Sequence, residues 1–368
     1  MLNIIFCFLV AIVFIQLVYY LAIFTKFAFA KPQQAATKKI PVSVLIWTKN
    51  EAEKLKTLIP LLSVQDYPDY ELVFINDASS DETQDILEEA ELAYNNIRVV
   101  NVENNEAFWG NKKFALTLGI KAARKEYLLF TNADCRPASG SWITQMASQF
   151  TMSKTIVTGH TAYEKVKSSF FNKVVRYNNT FEAMQQLSWA KAGRPYKAVG
   201  SNLAYKKEEF FKVNGFVDHM TVRLGEDSLF INQAATGTNT AISYNPDSFT
   251  ITEGPASLRE FILQKRKHLY TSRYFKSFNK IQESFFRFSQ LAFILLLTIL
   301  LILQYNWIFL VPVIVLRYVA TWIITGYSAV KLDEKDIIIW YPVFEIITIY
   351  IQLHTFITNS LSKAPHWK

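Results

Sequence analysis

The 368-residue chain has two cysteines, Cys7 and Cys135, which excludes a disulfide scaffold and a cysteine-rich zinc module. Eleven glycines and eleven prolines exclude a collagen-like or linker-dominated chain. Neither GxGxxG nor GxxxxGK(S/T) occurs, so the phosphate cradles of dinucleotide-binding and P-loop domains are missing. The five histidines are scattered and form no ligand set with Cys135. No internal repeat or low-complexity stretch interrupts the chain. What is present is a 51% hydrophobic sequence, too apolar for disorder and long enough for one or two domains.

The formal charge of +8 is unevenly placed. Residues 1–39 carry +4 from Lys26, Lys31, Lys38 and Lys39, and residues 259–287 carry +6. The body, 40–258, is −3, and 288–368 is +1. A slightly acidic body between two basic collars lacks the basic folded face that nucleic acid requires.

Residues 4–24 form an apolar run of about the ~20 residues that cross a bilayer. Ala28-Phe29-Ala30 resembles a signal cleavage site, but no Lys or Arg precedes the run, so residues 1–28 read as an uncleaved anchor. Phe288–Gln304, Trp307–Tyr327 and Ile337–Thr358 read as three further segments of a membrane region over 288–358. Arg317, Glu345 and His354 lie within it, either paired between helices or lining a path. Basic residues flanking the middle domain place it on the cytoplasmic side of the cell (inner) membrane, in a multi-pass protein. Four spans would leave both termini outside, although the last segment is polar enough to be interfacial.

From Val42 the apolar period changes. Strands are expected at Val42–Trp47, Glu71–Ile75, Ile97–Val102 and Tyr127–Thr131, with helices at Glu51–Ser63, Asp81–Tyr94 and Lys112–Arg124. This alternation predicts an α/β fold with a mostly parallel sheet. Ligands of such sheets sit beyond the carboxyl ends of the strands. There the sequence places Lys49-Asn50-Glu51, Asn76-Asp77 and Asn132-Ala133-Asp134.

Each acid has two readings. Asp77 precedes Ser79 and Glu82, which have capping-box spacing; the box leaves Asp77 itself at a strand tip, able to accept an N–H from a nucleobase. Asp134 is either an Asx-turn residue ahead of Pro137 or one carboxylate of a Mg²⁺ site completed by substrate phosphates. Glu226-Asp227 precede an apparent helix, Ser228–Ala235, and are helix caps or a cap and a general base. Arg259–Phe286 mixes basic and aromatic residues and reads as a basic amphipathic interfacial segment over 259–287, on an anionic leaflet.

In order and spacing, these pieces over about 40–270 resemble a family 2 glycosyltransferase of GT-A fold. Val42-Ser43-Val44-Leu45-Ile46 with Asn50-Glu51 is similar to the family's first strand and loop, and Leu62–Pro68 with Glu71–Asp77 to its continuation. Lys112-Lys113-Phe114-Ala115-Leu116 resembles the lysine-containing helix start. Asn132-Ala133-Asp134 stands where the family has DxD, Gly200–Tyr205 resembles the acceptor-side strand, and Gly225-Glu226-Asp227 resembles the late acidic motif.

The resemblance implies a GT-A catalytic domain over 40–258. Asp77 would contact the base of a nucleotide-sugar, of uridine type, with Asn50, Glu51, Lys112, Asn132 and Asp134 around the donor. Asp134 would bind Mg²⁺ or Mn²⁺, and Asp227, beside Glu226, would act as general base in an inverting transfer. Asn202, Gln264, Lys267 and His268 fall on the acceptor side. Two positions depart from the family: Asn132 replaces an acid, and Gln264–His268 keeps only the glutamine of QxxRW, without tryptophan's platform for a sugar. Membrane lipid, lipid-linked or glycan acceptors, processive polysaccharide synthesis and a catalytically impaired membrane partner all stay open.

Overall fold

The computed structural model describes residues 2–31, 39–103, 112–222 and 224–361; Lys38 of the first basic collar lies outside them. The chain divides into two units. One comprises Pro32–Glu164 and Gly193–Gly254, the other Met1–Lys31, Lys165–Ala192 and Pro255–Lys368.

The first unit is built on a seven-stranded sheet. Its strands are β1 (Val42–Thr48), β2 (Tyr70–Asp77), β3 (Ile97–Val102), β4 (Tyr127–Asn132), β6 (Ile156–Thr158), β8 (Leu203–Lys206) and β9 (Thr240–Ile242), in the order β3-β2-β1-β4-β8-β6-β9. A small sheet carries β5 (Cys135–Pro137), β10 (Thr250–Thr252) and β7 (Thr161–Tyr163). β1, β2, β3 and β4 run parallel, and β8 is antiparallel to β4 and β6. Strand alternation divides the core between two faces. Val42, Val44, Ile46, Leu72 and Phe74 pack with Leu55, Leu58 and Leu62 of the Ala52–Ser63 helix. Leu45, Val73 and Ile75 pack with Ala115, Leu116 and Ile120 of the Lys112–Ala122 helix. Burial on both faces explains why these strands read as continuous apolar runs. Gly119 lets the latter helix approach β2, since a Cβ there would lie 2.2 Å from Ile75 Cδ1.

The capping box expected from Ser79 and Glu82 does not form. Glu82 takes the N-cap position without a side-chain hydrogen bond, and Asp81 beside it accepts from Thr83 N at 3.1 Å and from Ala52 N at 3.3 Å. Ser79 Oγ accepts from Asn50 N at 3.0 Å, and Asn50 Oδ1 from Ser80 N at 2.8 Å, joining the loops after β1 and β2. Local spacing suggested a helix cap; the adjacent parallel strand supplied a competing partner.

Among the described residues the second unit has four helices long and apolar enough to cross a membrane: Leu2–Ala28, Ser277–Ile302, Trp307–Lys331 and Lys335–Leu361. The second starts at Ser277, so the basic stretch assigned to 259–287 divides. Its first part is the Leu258–Ser272 helix, N-capped by Ser257, and its last residues open the apolar helix. The Phe170–Lys191 helix also belongs to this unit, although in sequence it lies within the range 40–258. Sixteen of its 22 residues are buried, a density that its mixed sequence does not announce.

Pairing fixes the height of each helix in this unit. Gln16 Nε2 donates to Ser289 O at 2.7 Å and Tyr19 OH to Gln282 O at 3.0 Å, so the first two apolar helices run antiparallel. Tyr305 OH meets Asn3 at one end, and Lys331 Nζ meets Ala30 O at the other. At mid-height Arg317 donates to Glu345 at 2.8 and 2.6 Å and to Gln16 at 2.7 Å. The last span opens with a 3-10 turn over Lys335–Trp340, its α-helix Tyr341–Leu361 starts near this level, and Arg273 donates to Asn359 O near its far end, at 3.4 Å. Arg176, fully buried, pairs with Glu334 and Asp336, tying the Phe170–Lys191 helix to the turn before the last helix.

Candidate functional site

At the carboxyl ends of β1, β2 and β4 the first unit gathers residues distant in sequence. Register sets Trp47 beside both Ile75 and Asn132. Asp77, buried at the end of β2, accepts from Trp47 Nε1 at 3.2 Å and has Lys49 Nζ 3.7 Å from the same oxygen. Lys112 opens its helix facing β4. Its ammonium pairs with Glu226 at 2.8 Å, donates to Asn132 Oδ1 at 3.1 Å and lies 4.5 Å over the Trp47 ring. Lys112, Asn132, Gly200, Glu226 and Asp227 line one pocket.

The two late acids are adjacent but differently held. Gly225, at φ +80°, turns the chain into them. Asp227 caps the Ser228–Ala234 helix through Ser228 N, and its other oxygen accepts from Gly200 N at 2.8 Å. Burial and then the neighbouring Glu226 carboxylate raise Asp227 above the ordinary aspartate value, against the opposing pull of Ser228 N–H, Gly200 N–H and Lys112. Burial would also raise Glu226, but the Lys112 ammonium outweighs it and Glu226 is lowered. Burial would lower Lys112, yet Glu226, Asp227 and Asp134 together raise it. A carboxylate kept ionised beside one with raised proton affinity is the separation that acid–base chemistry needs.

Asp134 follows β4 and is exposed, with the Cys135 thiol 3.4 Å from Oδ1. Among the described residues no three His, Cys, Asp or Glu side chains form a metal cage. One open carboxylate instead fits a hard cation that draws its remaining ligands from substrate phosphates and water. Asn132 Oδ1 already accepts from Lys112 Nζ.

Other expected site residues are engaged elsewhere. Asn50 is occupied in the loop contacts described above, and Glu51 pairs with Lys54 at 3.0 Å. Asn202 is fully buried; it accepts from Trp142 Nε1 at 3.2 Å and donates to His160 O and Ser248 O at 2.7 and 2.8 Å. Its carboxamide is a tie inside the fold and does not fit an acceptor contact. Gln264, Lys267 and His268 belong to the Leu258–Ser272 helix of the second unit, where Glu182 pairs with Lys265 at 2.9 Å and lies 3.8 Å from His268. Burial lowers Lys267.

The sequence pattern assigned Trp47 no part in the site, and it located Lys49 and Lys113 without giving either a partner. Lys113, with no exposed surface, donates to the carbonyls of His219, Val222 and Leu224, fixing the strand of chain that leads into Glu226. Burial pushes it down to about 8. Only the spacing of Lys112-Lys113 before an apolar helix hinted at it.

The glycosyl transferase family 2 profile matches residues 43–223. A poly-beta-1,6-N-acetyl-D-glucosamine synthase of Staphylococcus epidermidis is 37% identical over 94 residues, 25% of this chain and 21% of that protein. Glycosyltransferase AglE of Haloferax volcanii is 29% identical over 104 residues, 27% of this chain and 33% of that protein. The chain thus aligns with about a fifth to a third of these curated relatives. A solved structure, the mannosyltransferase PcManGT from Pyrobaculum calidifontis in complex with GDP-Man and Mn²⁺, is 18% identical with a TM-score of 0.61, covering 94% of this chain and 99% of that one. That likeness bears on the fold, a GT-A sheet accompanied by apolar helices. The matched profile is what carries the family: residues 43–223 belong to family 2 of the glycosyltransferases.

Proposed function

We propose that this protein transfers a sugar from a nucleotide-sugar to a lipid, lipid-linked or glycan acceptor at the cytoplasmic face of a membrane, with inversion. The observation that carries this reading is the convergence of Asp77, Lys112, Glu226 and Asp227 at the strand ends. Asp77 receives a base N–H, and Lys112 carries positive charge toward the diphosphate while Glu226 keeps it ionised. Asp227, with its raised proton affinity, takes the acceptor hydroxyl's proton as the oxygen attacks the anomeric carbon. Asp134 would hold Mg²⁺ or Mn²⁺, which when bound stabilises charge on the leaving diphosphate. Because attack is from the face opposite the leaving group, an α-linked donor gives a β-linked product.

Nucleotide release from a panel of UDP- and GDP-sugars, in membranes carrying wild type or Asp227→Asn, tests the reading. Turnover by wild type and a loss of at least about 10²-fold in the variant is expected; equal turnover would remove Asp227 from the chemistry. Processive polysaccharide synthesis is the second reading, favoured by the match to a poly-N-acetylglucosamine synthase. Product length separates the two, since single-sugar adducts reject a polymerase.

A further inference from the structure

Trp47 sits between the two ends of the proposed donor site. Its indole N–H binds Asp77 Oδ2 at 3.2 Å, an oxygen that also has Lys49 3.7 Å away. No group among the described residues hydrogen-bonds Asp77 Oδ1. The face of the same ring carries the Lys112 ammonium 4.5 Å from its centroid, and that ammonium continues to Glu226 and Asn132. The ring is itself fixed: Trp47 lies within β1, paired on both sides, and its carbonyl accepts from Ala133 N at 3.2 Å. An indole offers one edge donor and a broad π face, so a single side chain orients a carboxylate and seats a cation.

From this we infer that Trp47 is a positioning residue with two separable duties toward the nucleotide, an inference that rests on the donor-site reading above. Its N–H fixes Asp77 with one oxygen held and the other left to accept a ring N–H from the base. Its face holds Lys112 in place for the diphosphate. A carboxylate acceptor favours uracil and guanine, whose ring nitrogens N3 and N1 carry hydrogen. It disfavours cytosine and adenine, where the corresponding nitrogens are lone-pair acceptors. The discrimination thus follows from hydrogen-bond polarity and leaves base size to other contacts.

The test titrates the detergent-solubilised full chain with UDP, GDP, CDP and ADP. Wild type is expected to bind UDP above CDP, or GDP above ADP. Trp47→Phe keeps a ring over Lys112 and loses the donor, so this preference should fall about tenfold with little change for the disfavoured base. Trp47→Met loses both features, so affinity for all four nucleotides should fall in addition. In an Asp77→Asn background, Trp47→Phe should change the preference less than about twofold. Equal weakening of all four nucleotides by Trp47→Phe, or an unchanged preference, would overturn the role of Trp47. If Asp77→Asn abolishes the preference while Trp47→Phe retains it, the donor site stands and only the Trp47 inference falls. A wild-type chain that binds none of the four overturns both.

Discussion

At the residue scale the site depends on keeping like charges apart in their proton affinities. Glu226 raises Asp227, and Lys112 lowers it. A base must be deprotonated to act, so transfer falls as pH drops through the Asp227 value. Glu226→Gln removes the raising charge and should move the acid limb of the kcat/KM profile to lower pH. Lys112→Met removes the lowering charge and should move the limb to higher pH. Measured profiles that shift in the same direction for both variants would contradict the assignment. Lys113 has a different duty. Lys113→Met removes the ammonium from three buried carbonyls, of which His219 O keeps Val222 N at 3.1 Å, and a loss of about 2–3 kcal/mol is expected in denaturant titrations, with faster hydrogen exchange in the 219–222 stretch. The acids Asp77 and Asp227 were legible because polar residues immediately after or before regular elements stand out against an apolar period. Trp47 and Lys113 were not, because an aromatic in a strand and a lysine in a helix look ordinary until burial assigns their partners. Asn202 failed for the complementary reason: its motif was visible, but the three groups that occupy its carboxamide come from distant segments.

At the element scale, strand positions were legible because burial on both sheet faces imposes unbroken apolar runs. Boundaries moved by one or two residues, β2 for instance extending to Asp77. Helix ends were less legible. Asp81 displaced the expected box at Ser79 and Glu82, and the apolar helix expected from Phe288 starts at Ser277. Among the apolar helices, the Arg317–Glu345 ion pair is one of the polar contacts that set register, and it agrees with pairing between helices for both residues. Removing one partner leaves the other charge buried, so Arg317→Met should destabilise by about 3–5 kcal/mol. The Arg317→Met, Glu345→Met double variant should lose less than Arg317→Met alone. Steric-trap or denaturant unfolding in detergent micelles measures both.

At the scale of the whole molecule, the sequence predicts membrane helices, while their ends decide the topology. Asn3 and Tyr305 share one end of the apolar unit, and Ala30 and Lys331 the other. The last helix starts at the mid-height level of Arg317 and finishes beside Arg273, which precedes the helix start at Ser277 near Gln282 and Tyr19. Its C-terminal end is therefore expected on the Lys331 side, whereas four full spans would carry it across. Cysteines introduced at Ser360 and Lys331 should label from the same side of sealed vesicles, and one at Gln304 from the opposite side. Labelling of Ser360 together with Gln304 would restore four crossings.

The α/β alternation, the apolar segments, the basic collars and the family are readable from the amino-acid order, because each is written in local period, charge or motif order. The packed fold was needed to show which carboxylate is raised and which lowered, that Asn202 is a structural tie, that Trp47 joins Asp77 to Lys112, and that the Phe170–Lys191 helix packs with the apolar helices. The physical reason is common to all four. Proton affinity, hydrogen-bond satisfaction and burial depend on neighbours tens to hundreds of residues away, and no local pattern specifies them.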